Sequence, residues 1–212
     1  MPDLSLEAKW QAQGHRLIAG IDEAGRGAWA GPVVAAAVIL PLDRTDVLEE
    51  LLEAGVNDSK QVSARKRREL ADLIRERAVS FGMGGVSAAA IDRDGILSAT
   101  RTAMRRAVSM LRPQPQALLI DAVDLRAQVP LPQQRLNYGD SISLSIAAAS
   151  ILAKVSRDAF LVQLDDLYPG YAFGRHKGYG TRLHQSALAE RGPSPIHRMS
   201  FKPLKELLIV DC

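Results

Sequence analysis

Near the start of the chain, two apolar runs of strand length, residues 17–22 and 33–40, are separated by a turn rich in glycine. Each run is bounded by Gly or Pro and is too short for a helix, so both read as buried strands, and their closeness favours an antiparallel pair. The first run, Leu17-Ile-Ala-Gly-Ile-Asp22, meets Glu23 just before Ala-Gly25-Arg26-Gly27. Two adjacent carboxylates at the end of a buried strand repel each other and resist leaving water, so a compensating cation is expected beside them, most simply a divalent metal ion. Consecutive strand residues point to opposite faces, so the two acids can line one site only if the strand bends away at Glu23, a bend that Gly25 and Gly27 permit.

The rest of the chain extends this hairpin into a layered domain. Residues 46–54 read as a short amphipathic helix, Gly55-Val-Asn57-Asp58-Ser59-Lys60 as a polar loop, and Ser63 as the N-cap of a helix reaching about Ala78. Residues 79–87 form a third strand interrupted by glycines, and residues 87–111 a helical stretch broken near Gly95. Pro113 and Pro115 close that stretch before a strand at 117–121. Another strand is expected around 135–138. The longest helix should run from Ser141 to about Leu167, with Leu144, Ala148, Ile151, Val155, Ala159 and Val162 at helical spacing, and end at Pro169-Gly170. A glycine-rich basic loop through Gly180, a helix at about 182–191, a proline-rich link and a short C-terminal helix complete the series. Strands that come first as a hairpin and later alternate with helices imply an α/β fold with a mixed central sheet. At 212 residues the chain suits one domain, residues 1–212.

With 47% hydrophobic but 5% aromatic residues, the core must be built mainly from Ala, Val, Leu and Ile. A net charge of +3 permits nucleic-acid binding without demanding it. The cations gather at Arg65-Lys66-Arg67-Arg68, at Arg101 with Arg105-Arg106, at Arg175-His176-Lys177 and at His197-Arg198, all separate in sequence from the acidic doublet. The sole cysteine, Cys212, excludes an intramolecular disulfide and a thiolate metal cluster and fits a reducing cytoplasm. No basic-then-apolar leader and no bilayer-length apolar stretch are present, so a soluble cytoplasmic protein with no membrane partner, and a monomer, is expected.

Further acids compete to join the doublet. Asp121 ends the run Ala117-Leu-Leu-Ile and can reach the same sheet edge as Asp22, while Asp124 is a rival three residues later. Asp140 directly precedes the long helix, where an N-cap role is equally open. At 100° per residue Asp140, Ser143, Ala147, Ser150, Lys154 and Asp158 form one stripe. However, Asp140 and Asp158 lie ~27 Å apart along such a helix, against about 4 Å between paired catalytic metals, so they cannot share one site. Asp158 is expected to pair with Lys154 or Arg157.

These blocks taken together, Asp22-Glu23-Ala-Gly-Arg-Gly with Gly31-Pro32, Asn57-Asp-Ser-Lys60, Gly139-Asp140 with the segment from Ser145 to Asp158, His176-Lys-Gly-Tyr179 and His197-Arg198, resemble bacterial ribonuclease HII in order over nearly the whole chain. The resemblance implies a ribonuclease H-like fold, a mixed five-stranded sheet flanked by helices with a small helical C-terminal part. It implies an endonuclease that cuts the RNA strand of RNA–DNA hybrids and incises 5′ of single ribonucleotides in duplex DNA, leaving 3′-OH and 5′-phosphate ends. By the same resemblance Asp22, Glu23, Asp121 and Asp140 hold two Mg²⁺ or Mn²⁺ ions. The Gly25-Arg26-Gly27 backbone meets the ribose 2′-OH, Tyr179 supports the sugar at the RNA-to-DNA junction, and Asn57, Ser59 and Lys60 lie along the phosphates. Residues from about 170 onward form a substrate-contacting segment. Two positions depart from the family pattern, Ala122 where glycine is usual and Tyr138 where lysine is usual.

Oxygen ligands suit hard divalent cations, and the 2′-OH is the group that separates RNA from DNA. Two other readings remain to be weighed. Gly25-x-Gly27-x-x-x-Gly31 could be a nucleotide-binding loop, but such loops open a helix and this one leads to a strand. A non-catalytic nucleic-acid binder could use Arg65 to Arg68 and the basic loop, although such runs more often solvate a helix face. Zinc ligation by His176, His184 and His197 matches no usual spacing.

Overall fold

Strands β1 (Ile18–Ala24), β2 (Val33–Ile39), β3 (Ser80–Val86), β4 (Ala117–Asp121) and β5 (Gln133–Leu136) form one sheet in the order β3-β2-β1-β4-β5. β2 is antiparallel to both β1 and β3, while β4 runs parallel to β1 and β5 parallel to β4, so the expected hairpin and mixed sheet are both present. The computed structural model describes residues 1–206. Residues 207–212, with the sole cysteine and the end of the expected C-terminal helix, lie outside the described residues.

Helices α1 (Ser5–Ala12), α2 (Thr45–Glu53), α3 (Ala64–Arg77), α4 (Ala88–Asp94), α5 (Ile96–Met110), α6 (Leu144–Leu167), α7 (Phe173–His176) and α8 (Arg182–Arg191) surround this sheet. Alternation along the strands builds a core on each side. Ala19, Ile21, Ala35, Ala37, Leu118 and Ile120 pack with Ala103, Met104 and Ala107 of α5. Ala36 and Val38 pack with Ala148, Ile151 and Leu152 of α6 and with Leu70 and Ile74 of α3. Small side chains let α6 lie unusually close to the central strand. A Cβ added to Gly20 would fall 2.1 Å from the Ser145 carbonyl carbon, inside any permitted contact.

Several local readings shift. α1 was not foreseen, because its apolar residues make no clear stripe. It is anchored by buried Glu7, whose Oε1 accepts from Ser143 Oγ at 2.6 Å and Ser145 N at 3.0 Å, at the positive N-terminus of α6. α6 starts three residues later than expected: residues Gly139–Ser141 form a 3₁₀ turn, and Ser143, not Asp140, is the cap, its Oγ accepting from Ile146 N. That frees Asp140 for another role. β5 covers residues 133–136 rather than 135–138, and α7 lies within the segment read as a loop.

Burial also changes phase along α6. Leu144, Ala148 and Ile151 face the core as expected, but Ala159 and Val162 are exposed, and Arg157, Leu161 and Leu164 turn inward instead. The second half of the helix has left the sheet and packs against Tyr171 and Phe173, so a different face is covered. No helix among the described residues is long and apolar enough to cross a membrane.

The Gly20 contact gives a direct prediction. Gly20→Ala should force α6 off β1 and lower stability by about 1–3 kcal/mol or more, read as a fall in the urea midpoint at unchanged slope.

Candidate active site

Ile21 lies opposite Ile120 in the parallel β1–β4 pair, so Asp22 and Asp121, one residue further on, end side by side at the carboxyl edge of the sheet. Asp22 shares the face of Gly20 and points toward α6. The strand does not bend at Glu23 as expected. It stays paired through Glu23 opposite Ala35 and Ala24 opposite Val34, and the bend comes at Gly25, with φ 92°. Glu23 nonetheless lines the same cleft, with its side chain only 8% exposed.

The cleft is lined by Asp22, Glu23, Gly25, Arg26, Gly27, Ser59, Lys60, Asp121 and Tyr179, all singled out in the sequence, and also by Ser150 and Lys154 of α6. Ser150 Oγ donates to Ser59 Oγ at 2.9 Å. Ser150 and Lys154 belonged to the helical stripe that suggested Asp140, so the signal for them existed. Asp140 and Asn57 are not part of the wall. Asp140 is buried directly behind it, with Lys60 Nζ 3.5 Å from its Oδ2, and Asn57 Oδ1 accepts from Asp58 N within its own loop. Asp124 turns away to Arg126, 3.4 Å distant. Asp158 pairs with Lys154 at 2.8 Å and with Arg67 at 3.6 Å, not with Arg157.

The electrostatics mark these acids as lacking a counter-charge. Burial, reinforced by Glu23 and Asp121, pushes Asp22 well above the ordinary aspartate range. Burial raises Glu23 too, although Arg26 Nη1, 3.2 Å from its Oε1, pulls the other way. Burial and the charge of Asp58 raise Asp140, and Asp121 adds to the repulsion at all three acids. Burial opposes the charge of Lys60, but Asp58, Asp140 and Asp22 together outweigh it, so its pKa rises. Glu23 Oε2 is buried with no hydrogen-bond partner among the described residues.

Among the described residues no three His, Cys, Asp or Glu side chains already converge to hold one ion. Lys60 and Arg26 stand as partial counter-ions to these acids. The donor chemistry itself, hard carboxylate oxygens with one orphaned and buried, fits a divalent cation.

The turn beside the acids is braced from beneath. Arg157 and Arg198 are fully buried. Arg157 donates to the carbonyls of Pro32, Lys177 and Ala30, and Arg198 to those of Gly31 and Arg26. The His197-Arg198 pair is therefore interior rather than a surface basic patch. Burial lowers the pKa of both guanidiniums, Arg198 to about 9. Gly25 is required here, because a Cβ would fall 1.9 Å from Arg157 Nε. The loop of residues 25–32 leads into β2 and opens no helix, so it lacks the helix N-terminus of a nucleotide-binding loop.

Three histidines gather under Tyr179, with their nitrogens already engaged. His197 Nδ1 accepts from Ser194 N, so its Nε2–H donates to His184 Nε2 at 2.9 Å, and His184 Nδ1–H donates to the Tyr179 carbonyl at 3.0 Å. His176 Nδ1 accepts from Gly178 N and its Nε2–H donates to the Tyr171 carbonyl. This hydrogen-bond chain leaves no lone pair for zinc. The Tyr179 ring lies 5.4 Å from Lys154 Nζ and 5.3 Å from the Arg157 guanidinium, held at the cleft wall.

A family model described as Ribonuclease HII matches residues 19–204. The chain belongs to the ribonuclease HII family. It is 51% identical to a ribonuclease HII of Chloroflexus aurantiacus, over 99% of this chain and 97% of that one, and 53% identical to one of Pelobacter propionicus, over 96% and 89%. Its fold is similar to the crystal structure of ribonuclease H2 from Pyrococcus horikoshii, with TM-score 0.74 and 25% identity, covering 90% of this chain and 96% of that chain. As a ribonuclease HII it is a ribonuclease H type 2 endonuclease, acting on RNA–DNA hybrids.

Both departures from the ribonuclease HII pattern fall at left-handed backbone positions, Ala122 at φ 53° and Tyr138 at φ 59°. A glycine after the third acid relieves that strain, so Ala122→Gly should stabilise the protein by up to about 1 kcal/mol, seen as a higher urea midpoint. The buried histidines give a pH prediction. Burial pushes His184 and His197 down to about 4, so the unfolded state binds more protons between the ordinary histidine value and that point. Stability is lost as pH falls through this window, by up to roughly 1.4 kcal/mol per pH unit for each histidine. The raised site carboxyls act in the opposite sense, so the measurement is a difference: His184→Gln should show a more positive trend in urea midpoint than the parent as pH falls from 6.5 to 4.5.

Proposed function

We propose that this cleft hydrolyses the RNA strand of RNA–DNA hybrids and incises duplex DNA 5′ of a single embedded ribonucleotide, leaving 3′-OH and 5′-phosphate ends. Asp22, Glu23, Asp121 and Asp140 would hold two divalent cations, Mg²⁺ or Mn²⁺, which would activate the attacking water and stabilise the charge on the leaving 3′-oxygen. The observation that carries the reading is the meeting of Asp22, Glu23 and Asp121, short of counter-charge, with the Gly25-Arg26-Gly27 turn and Tyr179 around one cleft.

The chain's own residues divide the remaining work. Lys60 lies 3.5 Å from Asp140 and 3.6 Å from Asp58, and its side chain is 79% exposed, so it is free to turn toward a phosphate. Lys154, beside Tyr179, offers a second phosphate contact. Asn57 and Ser59 hold the shape of the loop that carries Lys60. The backbone of the Gly25-Arg26-Gly27 turn, exposed at Gly27, meets the 2′-OH, the atom group absent from DNA. A Cβ on Gly27 would meet nothing within 4 Å in the free protein, so the space there is open to a sugar. Tyr179 supports the sugar at the junction, and residues from about 170 act as the substrate-contacting part of a single catalytic domain, residues 1–212.

The test is incision of duplex DNA carrying one ribonucleotide, beside a long RNA–DNA hybrid and an all-DNA control, in Mg²⁺ and in Mn²⁺. Asp22→Asn should reduce cleavage by more than a factor of about 100, since even the outer partners of metal ligands are worth 10–100-fold, while largely sparing duplex binding. Undiminished cutting by that variant, or no cutting of either ribose-containing substrate by the parent, would refute the assignment. Binding without any cutting would instead favour the non-catalytic reading.

A further inference from the structure

The Gly25-Arg26-Gly27-Ala28 segment is a tight turn, closed by Ala28 N donating to the Gly25 carbonyl at 3.4 Å. Such a closure uses the outer carbonyl and the outer N–H and leaves both groups of the central peptide, the Arg26 carbonyl and the Gly27 N–H, without a partner from the turn itself. That peptide is trans, so its two groups point in opposite directions. Arg198 takes the inward one: its Nη1 donates to the Arg26 carbonyl at 2.8 Å, while its Nε holds the Gly31 carbonyl at 3.0 Å. The Gly27 N–H is thereby turned outward. Gly27 is exposed, lines the cleft, and its N–H has no hydrogen-bond partner among the described residues.

Among the described residues no other hydrogen bond fixes this peptide plane. The carbonyl and N–H of a central turn peptide can flip together at little steric expense, most easily where a glycine follows, and a flip would aim a carbonyl oxygen at the cleft instead of a donor. Arg198 is well built to prevent it. Its guanidinium is fully buried, has no carboxylate within ion-pair distance among the described residues, and keeps Nη2 without a hydrogen-bond partner. A buried charge so poorly compensated is destabilising unless its remaining bonds are kept, so losing the Arg26 carbonyl would leave a second orphaned donor.

We propose that Arg198 is a positioning residue for ribose recognition: by holding the Arg26 carbonyl inward it presents the Gly27 N–H as a fixed donor to the 2′-oxygen of the substrate ribose. This rests on the reading that the turn meets the 2′-OH. It assigns specificity to a residue that touches neither substrate nor metal ligands and is 172 positions from the turn.

The experiment measures binding of the full chain, carrying Asp22→Asn so that the duplex stays intact, to two duplexes that differ by one 2′-oxygen. One is DNA with a single ribonucleotide and the other is the same sequence in all-DNA form. Adding Arg198→Met should lower the ratio of the two Kd values by about tenfold, the worth of one well-placed hydrogen bond, with all-DNA affinity unchanged. Arg198→Lys, which keeps the charge but not the fork that spans two carbonyls, should lose nearly as much. An unchanged ratio in both variants overturns the inference, as does an equal loss of affinity for both duplexes, which would mark Arg198 as general support.

Amide hydrogen exchange at Gly27 in the protein with Arg198 intact covers the case in which the variants do not fold. Exchange should be fast in the free protein and in the all-DNA complex, and slower by at least about tenfold with the ribonucleotide duplex. Protection that ignores the 2′-oxygen overturns the inference. A parent that shows no ribose preference at all in binding overturns the reading of the turn itself, and the role of Arg198 falls with it.

Discussion

The close packing of β1 on α6 is the constraint on which the rest of the structure depends. Gly20 and the alanine-rich first half of α6 allow the helix backbone to approach the strand more closely than any side chain would permit. That separation sets Ser150 and Lys154 directly over the end of β1, where Asp22 emerges, and draws Asp140 to the same corner through the turn that precedes the helix. Glu7 of α1 fixes the start of α6 from the opposite side. A larger residue at Gly20 would displace an entire wall of the cleft, not merely loosen the core.

Around that corner the protein keeps charge under tension. Three carboxyls are raised above their ordinary values, chiefly by burial, and the cations within reach, Lys60 and Arg26, are held by side chains that are mostly or partly exposed. Beneath the adjoining turn the imbalance has the opposite sign, with two buried guanidiniums bonded to carbonyls and, among the described residues, no acid paired to them. A negative basin beside a positively backed turn suits a ligand that brings cations to one side and phosphate oxygens to the other.

Much of this was legible in the sequence, and the limits of what was legible have physical causes. Short apolar runs bounded by Gly and Pro gave β1, β2 and β4, because burial on both faces leaves a nearly continuous signal, whereas the glycine-rich β3 and the polar edge strand β5 are only partly buried and gave weaker ones. The helix breaks at Gly95 and Pro169 were equally plain. Asp121 could be set at the same sheet edge as Asp22 because strand ends have a fixed relation to that edge, but Asp124 stayed a rival until the register of β1 and β4 was known. The role of Asp140 could not be decided, since a residue just before a helix reads as a cap until the backbone shows Ser143 doing that work. The changing stripe of α6 was hidden because periodicity reports what could be buried, not which neighbour arrives to bury it. The interior role of Arg157 and Arg198 could not be read for a similar reason: only long-range folding supplies the carbonyls that let a guanidinium go inside.

The braces of the turn have a consequence for the order in which the protein can become an enzyme. The turn lies early in the chain and closes on itself through Ala28 N and the Gly25 carbonyl, but the supports that brace it from beneath come from residues 157, 178, 196 and 198, all distant in sequence. During synthesis the acids of β1 and β4 emerge well before those supports. A nascent chain can therefore gather its carboxylates while the turn beside them is still unformed, and it acquires a complete cleft only after residue 198 has cleared the ribosome. Closing the fold with its most distant contacts last delays nuclease activity until nearly all of the described chain is in place.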